Sequence, residues 1–450
     1  MPKSTDIRIL DVNYDFEEYQ YRTPLKFGGV PTDRCVLFNV RVQMQTRAGA
    51  RAEGFGSMPL GNVWAFPPRY VPFDQSLEAM KRLSGLLVQT TRECNLCAHP
   101  VDLSETLEPE FLRIAAELSK EMQLTTPIPK LCTLVTASPI DAAIHDGFGV
   151  ANGINSFNGL SEAFMSRDLS HYLDDRFVGK YLDQYTLRTP KPRMPLYHLI
   201  GALDPLTDAD ISKRLNDGLP ETLPEWILAD GLTHLKIKLN GNNLDWDVQR
   251  VLSIEKVVAE TQAKRGVSEW HYSADFNETC KDVEYLLEFL RRIQEGEGHA
   301  FERLAYIEQP TDRDLKAHPE NKMHKAAAIK PVVIDESLID FETFLLAREQ
   351  GYSGVALKAC KGQSQALLMG AAAIEYDMFL AVQDLTCPGA SFLHSAGLAA
   401  RVPRVTAIEG NARQFCPAAN EAWKECFPTI FKITDGTIGT HVLTKNGLGH

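Results

Sequence analysis

The chain lacks long apolar runs and blocks of basic residues. No part of its 450 residues approaches the roughly 20 consecutive apolar residues of a membrane-spanning helix, and the N-terminal MPKSTDIRIL has no apolar secretory core. Its 47 Lys and Arg residues are outnumbered by 59 Asp and Glu residues, giving a net charge of -12. Nucleic acids and anionic membranes attract clustered Lys and Arg, so we expect neither as a partner. An acidic substrate would require local positive charge.

Cysteine is sparse and irregularly spaced. The nine cysteines, an odd number, are scattered from Cys35 to Cys426. That distribution is not typical of a disulfide framework, so we expect free thiols and a cytoplasmic location. Cys94 and Cys97 form a CxxC pair, with His99 two residues later, but no second pair or HxxxH motif accompanies them. A structural zinc site needs such a partner, so free loop thiols are the favoured interpretation.

The composition, with 44% hydrophobic and 24% charged residues, is that of a globular protein and excludes a disordered chain. In residues 1–190, alternation of apolar and polar residues predicts strands, and helical periodicity predicts helices. The strand segments are residues 7–10 and 35–42, and the helical segments are residues 75–90, 108–124 and 139–154. The last helix is expected to have Ser138 as its N-cap and Pro139 at its first position. Strands followed by helices predict an α+β unit.

After residue 190 the pattern changes to short apolar runs, each followed by a helical segment. The runs are residues 195–200, 232–239, 270–275, 305–308, 332–335, 354–358, 379–384 and 405–409. Strands that alternate with helices form parallel βαβ units, and eight such units close into a barrel. The final segment has its own strand-like pattern and is expected to pack back onto the first unit.

Two lysines end the second run. Lys236 and Lys238 are two residues apart, so on a strand their side chains point to the same face. Inside a barrel, desolvation would lower the lysine pKa toward that of a general base. A solvated edge strand with an exposed KxK is the alternative explanation of this motif when it is taken alone.

Carboxylates end the next three runs. Asp275, Glu308 and Asp335 stand at successive strand ends, and Lys358 ends the sixth run. Three hard oxygen ligands from neighbouring strands suit Mg²⁺. Helix N-capping explains any one of these carboxylates, but not the ordered set of lysines and acids. Because active sites of (β/α) barrels lie at the carboxyl ends of the strands, the set predicts an active site.

These motifs resemble those of the enolase superfamily, and more closely those of its mandelate racemase/muconate lactonizing enzyme group, which includes dipeptide epimerases and o-succinylbenzoate synthases. The matching segments are LKIK at 235–238, DFN at 275–277, EQP at 308–310, IDES at 334–337 and LKACK at 357–361. The resemblance implies an α/β fold, a modified (β/α)7β TIM-type barrel with an α+β capping domain. The implied units are a cap at 1–190, a barrel at 191–412 and a returning segment at 413–450.

The resemblance also implies the chemistry. It places one divalent cation, Mg²⁺ or Mn²⁺ in its stead, on Asp275, Glu308 and Asp335. Lys238 and Lys358 would face each other across the α-carbon of a small-molecule carboxylate, with Lys236 assisting. A proton beside a carboxylate is weakly acidic, and the metal would stabilise the enediolate that its removal forms.

Three outcomes remain open at this point. Lysines on both faces favour an epimerase or racemase, whereas one lysine acting alone suits a lyase, such as an acid-sugar dehydratase, or a cycloisomerase. A non-catalytic metal- or metabolite-binding relative is disfavoured because unused buried lysines are costly. The resemblance further implies a homo-oligomer.

The substrate is the least determined feature. The family's Gly-Gly after the sixth-strand lysines is replaced by residues 362–364, and the eighth run ends in Glu409-Gly-Asn where dipeptide epimerases carry Asp-x-Asp. Candidate substrate-binding residues are Asn277, Asp384 and Glu409 and, in the cap loops at 22–30 and 55–66, Arg22 and Lys26. The two cap cations would bind a distal anion or remain solvated loop charges. The mandelate-racemase type of site needs a histidine on the seventh strand, whereas His394 is expected to be a packed helical histidine.

Overall fold

The computed structural model describes residues 2–27 and 30–450. Its N-terminal part contains an antiparallel sheet with the strand order β3-β2-β1-β4. The strands are β1 (Ile7–Phe27), β2 (Val30–Thr46), β3 (Arg51–Pro59) and β4 (Cys97–Ala98). The segments predicted as cap loops belong largely to this sheet, because the β1–β2 ladder continues beyond a register shift after Gln20 to pair Leu25 with Thr32. Gly28 and Gly29 of the predicted loop at 22–30 lie outside the described residues.

Four helices accompany this sheet, and two of them pack against its long strands. They are α1 (Asn62–Ala65), α2 (Phe73–Arg92), α3 (Pro100–Glu121) and α4 (Lys130–Asn152). The predicted start of the last helix is wrong, because α4 begins at Lys130 and contains Pro139 in its interior. Proline removes the N–H that would bond the Val135 carbonyl. Ser138 Oγ–H donates to that carbonyl at 2.8 Å instead, so the carbonyl stays satisfied and the helix continues.

Eight parallel strands form a closed barrel. The strands are β5 (Met194–Ile200), β6 (His234–Lys238), β7 (His271–Asp275), β8 (Leu304–Glu308), β9 (Val332–Ile334), β10 (Gly354–Leu357), β11 (Phe379–Val382) and β12 (Ile408–Glu409). Each strand pairs with the next, and β12 pairs with β5 to close the ring. A further strand, β13 (Thr437–Ile438), pairs antiparallel with β5. The predicted barrel beneath an α+β cap is confirmed.

Helices lie between consecutive barrel strands, and the last three follow the final barrel strand. They are α5 (Leu223–Asp230), α6 (Leu244–Arg265), α7 (Val283–Glu295), α8 (Ala300–Arg303), α9 (His324–Ala327), α10 (Phe341–Glu349), α11 (Gln363–Glu375), α12 (Ala390–Arg401), α13 (Ala412–Phe415), α14 (Glu421–Lys424) and α15 (Pro428–Phe431). Inside the ring, Tyr197, Tyr306, Val333 and three alanines pack as a separate apolar cluster that fills the barrel below the strand ends. Polar side chains at the carboxyl ends therefore stand on a packed floor.

The C-terminal segment contacts the cap. Ser156 N–H donates to the Gly447 carbonyl at 2.7 Å, and Leu448 N–H donates to Asp146 Oδ1 at 2.8 Å. The domain boundaries after residues 190 and 412 stay predictions. No helix within residues 2–27 and 30–450 is long and apolar enough to cross a bilayer.

The cysteines are free thiols, as predicted. Cys97 lies in β4 rather than in a loop and pairs with Arg8 of β1. His99 is buried as the N-cap of α3, where its Nδ1 accepts from Val101 N–H at 3.3 Å. The histidine that follows the CxxC pair therefore caps a helix.

Candidate active site

Lys236 lies at the centre of a buried charge network. It is on β6, and its Nζ lies within 3.0 Å of carboxylate oxygens of Asp275, Glu308 and Glu409. It also donates to Gln383 Oε1 at 2.7 Å. The predicted lowering of the lysine pKa is wrong for Lys236. Burial does lower its pKa, but the surrounding carboxylates outweigh burial and raise the pKa well above the usual value.

Lys238 ends β6, two residues further toward the mouth of the barrel. It is buried, contacts the Asp275 carboxylate and donates to Asn277 Oδ1 at 2.9 Å. Asn277 has a positive φ of 44°, which asparagine adopts more readily than most residues. This turn directs the asparagine side chain back toward the lysine.

Lys358 follows β10 and is also buried. Its Nζ lies 2.7 Å from Asp335 Oδ2 and donates to the Asp384 carbonyl at 3.2 Å. The same ammonium lies 4.3 Å from the ring centroid of Trp64, a residue of cap helix α1. Burial lowers the pKa of Lys358, but Asp335 opposes this and the net effect raises it. A cation over an indole face is an attractive contact, so the cap stabilises this ammonium.

Lys361 is a site residue that lies within the LKACK motif and was not predicted individually. It is buried, and its Nζ lies 2.5 Å from the Asp335 carbonyl and 3.2 Å from Asp335 Oδ1. Burial lowers its pKa. Its spacing three residues after Lys358 was the signal that could have identified it, because a helical turn brings such residues to one side.

The three carboxylates predicted to bind metal are buried at the ends of neighbouring strands. Asp275 ends β7, Glu308 ends β8 and Asp335 follows β9. Burial raises the Asp275 pKa, but Lys236 and Lys238 outweigh burial and lower it. For Glu308, burial and the Asp275 charge raise the pKa well above its usual range. The two adjacent acids therefore differ because the lysines outweigh burial at Asp275 but not at Glu308.

The donor set suits a hard divalent cation, but the side chains are turned toward lysines. Among the described residues, no three His, Cys, Asp or Glu side chains are grouped as a metal-binding cluster. The mouth of the barrel contains six buried carboxyl groups and four buried lysines. The acids are Asp275, Glu308, Asp335, Glu336, Asp384 and Glu409, and the lysines are Lys236, Lys238, Lys358 and Lys361. Among these ten side chains the acids outnumber the lysines by two.

Glu336 and Trp64 are two further site residues that were not predicted individually. Glu336 Oε1 accepts from Trp64 Nε1–H at 2.8 Å and from Asn277 Nδ2–H at 3.3 Å. Burial, followed by the charge of Asp335, raises the pKa of Glu336 to about 7. Glu336 stands in the IDES motif and Trp64 in the cap segment at 55–66, so sequence located their segments but not their contact.

Asp384 and Glu409, two of the predicted substrate-binding residues, lie side by side. Asp384 Oδ1 accepts backbone N–H bonds from Leu385 and Cys387 at 2.7 Å, and Oδ2 accepts from Asn411 N–H at 3.1 Å. Burial and the Glu409 charge raise the pKa of Asp384 to about 6. The Asp384 carboxylate therefore accepts hydrogen bonds that fix the loop after β11, and Glu409 forms an ion pair with Lys236.

The two predicted cap cations lie apart from the strand-end lysines. Arg22 forms an ion pair with Asp217 and donates to the Leu219 carbonyl at 3.3 Å. It lines a cleft of about 290 Å³ between β1 and the loop after β5. Lys26 is half-buried on β1, opposite Pro31. The structure therefore brings Arg22 to a neighbouring cleft rather than to Lys238 or Lys358.

His394 is buried on α12 between the cap and the barrel. Its Nε2 accepts from Ser57 N–H at 3.2 Å, and its Nδ1 lies 3.3 Å from Nε2 of His450. Both ring nitrogens therefore have partners away from the strand-end lysines. This arrangement agrees with the expected packed histidine.

Comparison with known proteins gives one family match. The model of the family described as "Enolase C-terminal domain-like" matches residues 219–450. No curated protein sequence matches the chain.

Solved structures share the fold over nearly the whole chain. The L-Ala-D/L-Glu epimerase from Bacillus subtilis superposes with a TM-score of 0.62 at 17% identity, covering 98% of each chain. A dipeptide epimerase from Enterococcus faecalis, complexed with Mg and a dipeptide, gives 0.65 at 15% identity over 98% of this chain and 99% of that one. The muconate lactonizing enzyme from Pseudomonas fluorescens, complexed with muconolactone, gives 0.59 at 16% identity over 98% and 95%.

Proposed function

Because the chain belongs to the enolase C-terminal domain-like family, as its motifs predicted, we propose that it is an enzyme that removes the α-proton of a small-molecule carboxylate. The observation that carries the proposal is the placement of Lys238 and Lys358. They end β6 and follow β10, four strands apart in a closed ring of eight. Two amines so placed face each other across the barrel mouth, where a bound α-carbon would present one face to each.

The proposed reaction is 1,1-proton transfer, that is, epimerisation or racemisation. One lysine, as the neutral amine, accepts the α-proton from its face, and the ammonium of the other lysine returns a proton to the opposite face. Asn277 holds Lys238 and Trp64 holds Lys358, so each proposed base has a neutral partner beside its carboxylate. Burial excludes water during the reaction, so the α-carbon receives its proton from the lysine on one face and not from solvent on either face.

We further propose that Asp275, Glu308 and Asp335 hold Mg²⁺. The support is their hard oxygen chemistry and their burial at adjacent strand ends. When bound, the cation supplies positive charge beside the substrate carboxylate, where negative charge develops as the proton leaves. Lys236 contacts two of these acids, and its role is to offset their mutual repulsion and hold them close together.

A second outcome of the same chemistry is loss of a β-leaving group or cycloisomerisation. It would need only one of the two lysines. The structural similarity to the muconate lactonizing enzyme supports this second outcome. We expect the two-lysine reaction because both ammonium groups are buried within contact of proposed metal-binding acids.

The test is exchange of substrate α-hydrogen in D₂O, followed by NMR over a panel of carboxylates. The panel includes dipeptides, N-acylated amino acids and hydroxy acids. Lys238→Ala and Lys358→Ala are compared with Lys264→Ala, which alters an exposed lysine on α6. Equal loss from both variants supports epimerisation, and loss from one alone supports elimination or cycloisomerisation. Exchange that neither variant changes would overturn the assignment of these bases.

A further inference from the structure

Glu336 connects the turn that follows β7 with cap helix α1. The residue is 2% exposed, and its carboxylate contacts Asn277 on one side and Trp64 on the other. One oxygen, Oε1, accepts both the indole N–H of Trp64 and the amide N–H of Asn277. An ionised carboxylate only accepts hydrogen bonds, whereas the indole only donates, so these donors need an acceptor at this point.

Each of the two donors reaches one of the proposed bases. Asn277 turns its carbonyl oxygen to Lys238 Nζ at 2.9 Å, while its N–H₂ faces Glu336. The indole of Trp64 lies against Lys358, 4.3 Å from the ammonium to the ring centroid. A single carboxylate oxygen is therefore one residue away from both lysines, although these come from opposite sides of the ring.

Both arms of this connection are anchored at a second point. Arg313 Nη2 donates to the Trp64 carbonyl at 3.0 Å, and its Nε donates to Glu278 Oε2 at 2.7 Å. Asn277 and Glu278 have positive φ angles of 44° and 62°. Consecutive non-glycine residues in this region carry a conformational cost, which persists where surrounding contacts fix the backbone. The strained turn and the cap residue are thus tied to one another twice.

We propose that Glu336 is a positioning residue: through Asn277 and Trp64 it sets the places of Lys238 and Lys358, and it makes both depend on the docked cap. The assignment of Lys238 and Lys358 as bases rests on the proposed function, whereas the contacts do not. Among the described residues, the other oxygen of Glu336 is buried without a hydrogen-bond partner. Burying that oxygen without a partner costs stability, and packing alone would not justify the cost. The two donors that the first oxygen accepts are the reason for a carboxylate at this position.

The kinetic test uses Glu336→Leu, which removes the acceptor, and Glu336→Gln, which keeps a carbonyl oxygen at the same place. Misplacing a base lowers the chemical step more than binding, so we expect Glu336→Leu to lower kcat about tenfold or more with KM changed less than about threefold. Exchange from both stereoisomers should slow together. Glu336→Gln should restore most of the activity.

Trp64 separates the two arms. Trp64→Leu removes the ring from Lys358 and should slow exchange mainly from the stereoisomer whose proton Lys358 takes, as identified with Lys358→Ala. Trp64→Phe keeps a ring but not the donor, and should have a smaller effect. Glu349→Leu, an exposed position at the end of α10, controls for loss of a carboxylate in general. An effect on KM alone, or none at either stereoisomer in Glu336→Leu, would overturn the proposal.

A second measurement needs no substrate and keeps the two proposals distinguishable. Acetic anhydride labels lysines according to their access, and peptide mass spectrometry reads Lys238 and Lys358 against exposed Lys264. Glu336→Leu should increase labelling of both buried lysines several-fold, and Trp64→Leu that of Lys358 alone.

The labelling outcomes separate the positioning role of Glu336 from the proposed function. If the wild type exchanges no α-hydrogen but labelling follows this pattern, the proposed function fails and the positioning role stands. Unchanged labelling of both lysines in Glu336→Leu overturns the positioning role. Should Glu336→Leu not fold, as judged by circular dichroism, Trp64→Phe decides in its place, because it keeps a ring but removes the N–H that Glu336 accepts. Labelling of Lys358 that does not rise in Trp64→Phe overturns the positioning role.

Discussion

At the residue scale, the buried lysines differ in what they are surrounded by. Lys236 is enclosed by carboxylates of three different strands, whereas Lys358 has one carboxylate and an indole. A lysine held by three acids is a poor proton acceptor, because its ammonium is stabilised. We therefore expect Lys236 to serve the charge balance rather than proton transfer.

Lys236→Met tests this role. The substitution leaves Asp275, Glu308 and Glu409 without their shared cation, and breaking a buried ion network by removing one partner costs about 3–5 kcal/mol. We expect a loss of that order in the free energy of unfolding, measured by urea denaturation. Lys264→Met on the surface of α6 should change it by less than about 0.5 kcal/mol. Equal values for the two variants would contradict the charge-balancing role.

Residues at strand ends could be predicted because strand order fixes where they meet. Asp275 and Glu308 follow apolar runs that are recognisable in sequence, and parallel strands bring their ends together. The contact of Trp64 with Glu336 spans 272 positions along the chain and depends on how the cap docks. No local pattern encodes such a contact, so the two segments could be located from sequence but the pair could not.

At the element scale, α4 shows how a local rule is overridden. The Pro139 that predicts a helix start lies inside the helix, with Ser138 Oγ bonded to the Val135 carbonyl. Ser138→Ala would leave that buried carbonyl without a partner, a loss of about 1–3 kcal/mol.

Ser84→Ala is the matched control for this prediction. Ser84 is equally buried and donates to the Met80 carbonyl at 2.8 Å, but that carbonyl also receives the regular helical N–H. Urea denaturation should show a smaller loss for Ser84→Ala than for Ser138→Ala. The reverse order would show that Pro139 is accommodated by another means.

His99, the N-cap residue of α3, predicts that the stability of the protein depends on pH. Burial lowers the pKa of His99 to about 3, and as a neutral ring it accepts from Val101 and bonds the Gly159 carbonyl. Since its folded pKa lies below the unfolded value of about 6.5, its contribution is present above pH 6.5 and lost as pH falls toward 3. His99→Asn keeps an N-cap that does not titrate.

The measurement is the unfolding free energy of both proteins from pH 7 to pH 4. Wild type should lose stability relative to His99→Asn by about 1.4 kcal/mol for each pH unit below 6.5. A constant difference across this range would mean that His99 titrates normally in the folded protein.

Elements with a strong period were predictable, and short ones were not. The eight barrel strands lie within or beside the predicted runs, because each run is apolar and bounded by turn residues. By contrast, β4 and α1 span two and four residues, too few to show a period. Their positions come from tertiary contacts, and α1 carries the Trp64 that reaches the site.

At the scale of the whole molecule, acidic residues are in excess over the chain, which has a net charge of -12, and also among the buried residues of the site. The expectation of local positive charge is not met by side chains alone, because buried acids at the barrel mouth outnumber the lysines. A divalent cation would balance them. The proposed site therefore requires a divalent cation to hold an acidic substrate.

Metal removal and return tests that requirement. After treatment with EDTA, adding Mg²⁺ to 100 times its dissociation constant should stabilise the folded protein by about 2.7 kcal/mol. Differential scanning calorimetry measures this as a rise in Tm. Asp335→Asn should abolish the rise, and Asp314→Asn on the surface should preserve it. A rise of equal size in both variants would place the cation elsewhere.

The contact between Trp64 and Lys358 has a practical consequence for anyone redesigning this scaffold. A library that varies the segment at 55–66 to admit a new molecule also varies the surroundings of an amine in the reaction chamber. Variants selected for binding alone would then lose catalytic activity, and a binding screen would not detect the loss. Such a library is better screened on conversion, with the indole held fixed in half of its members.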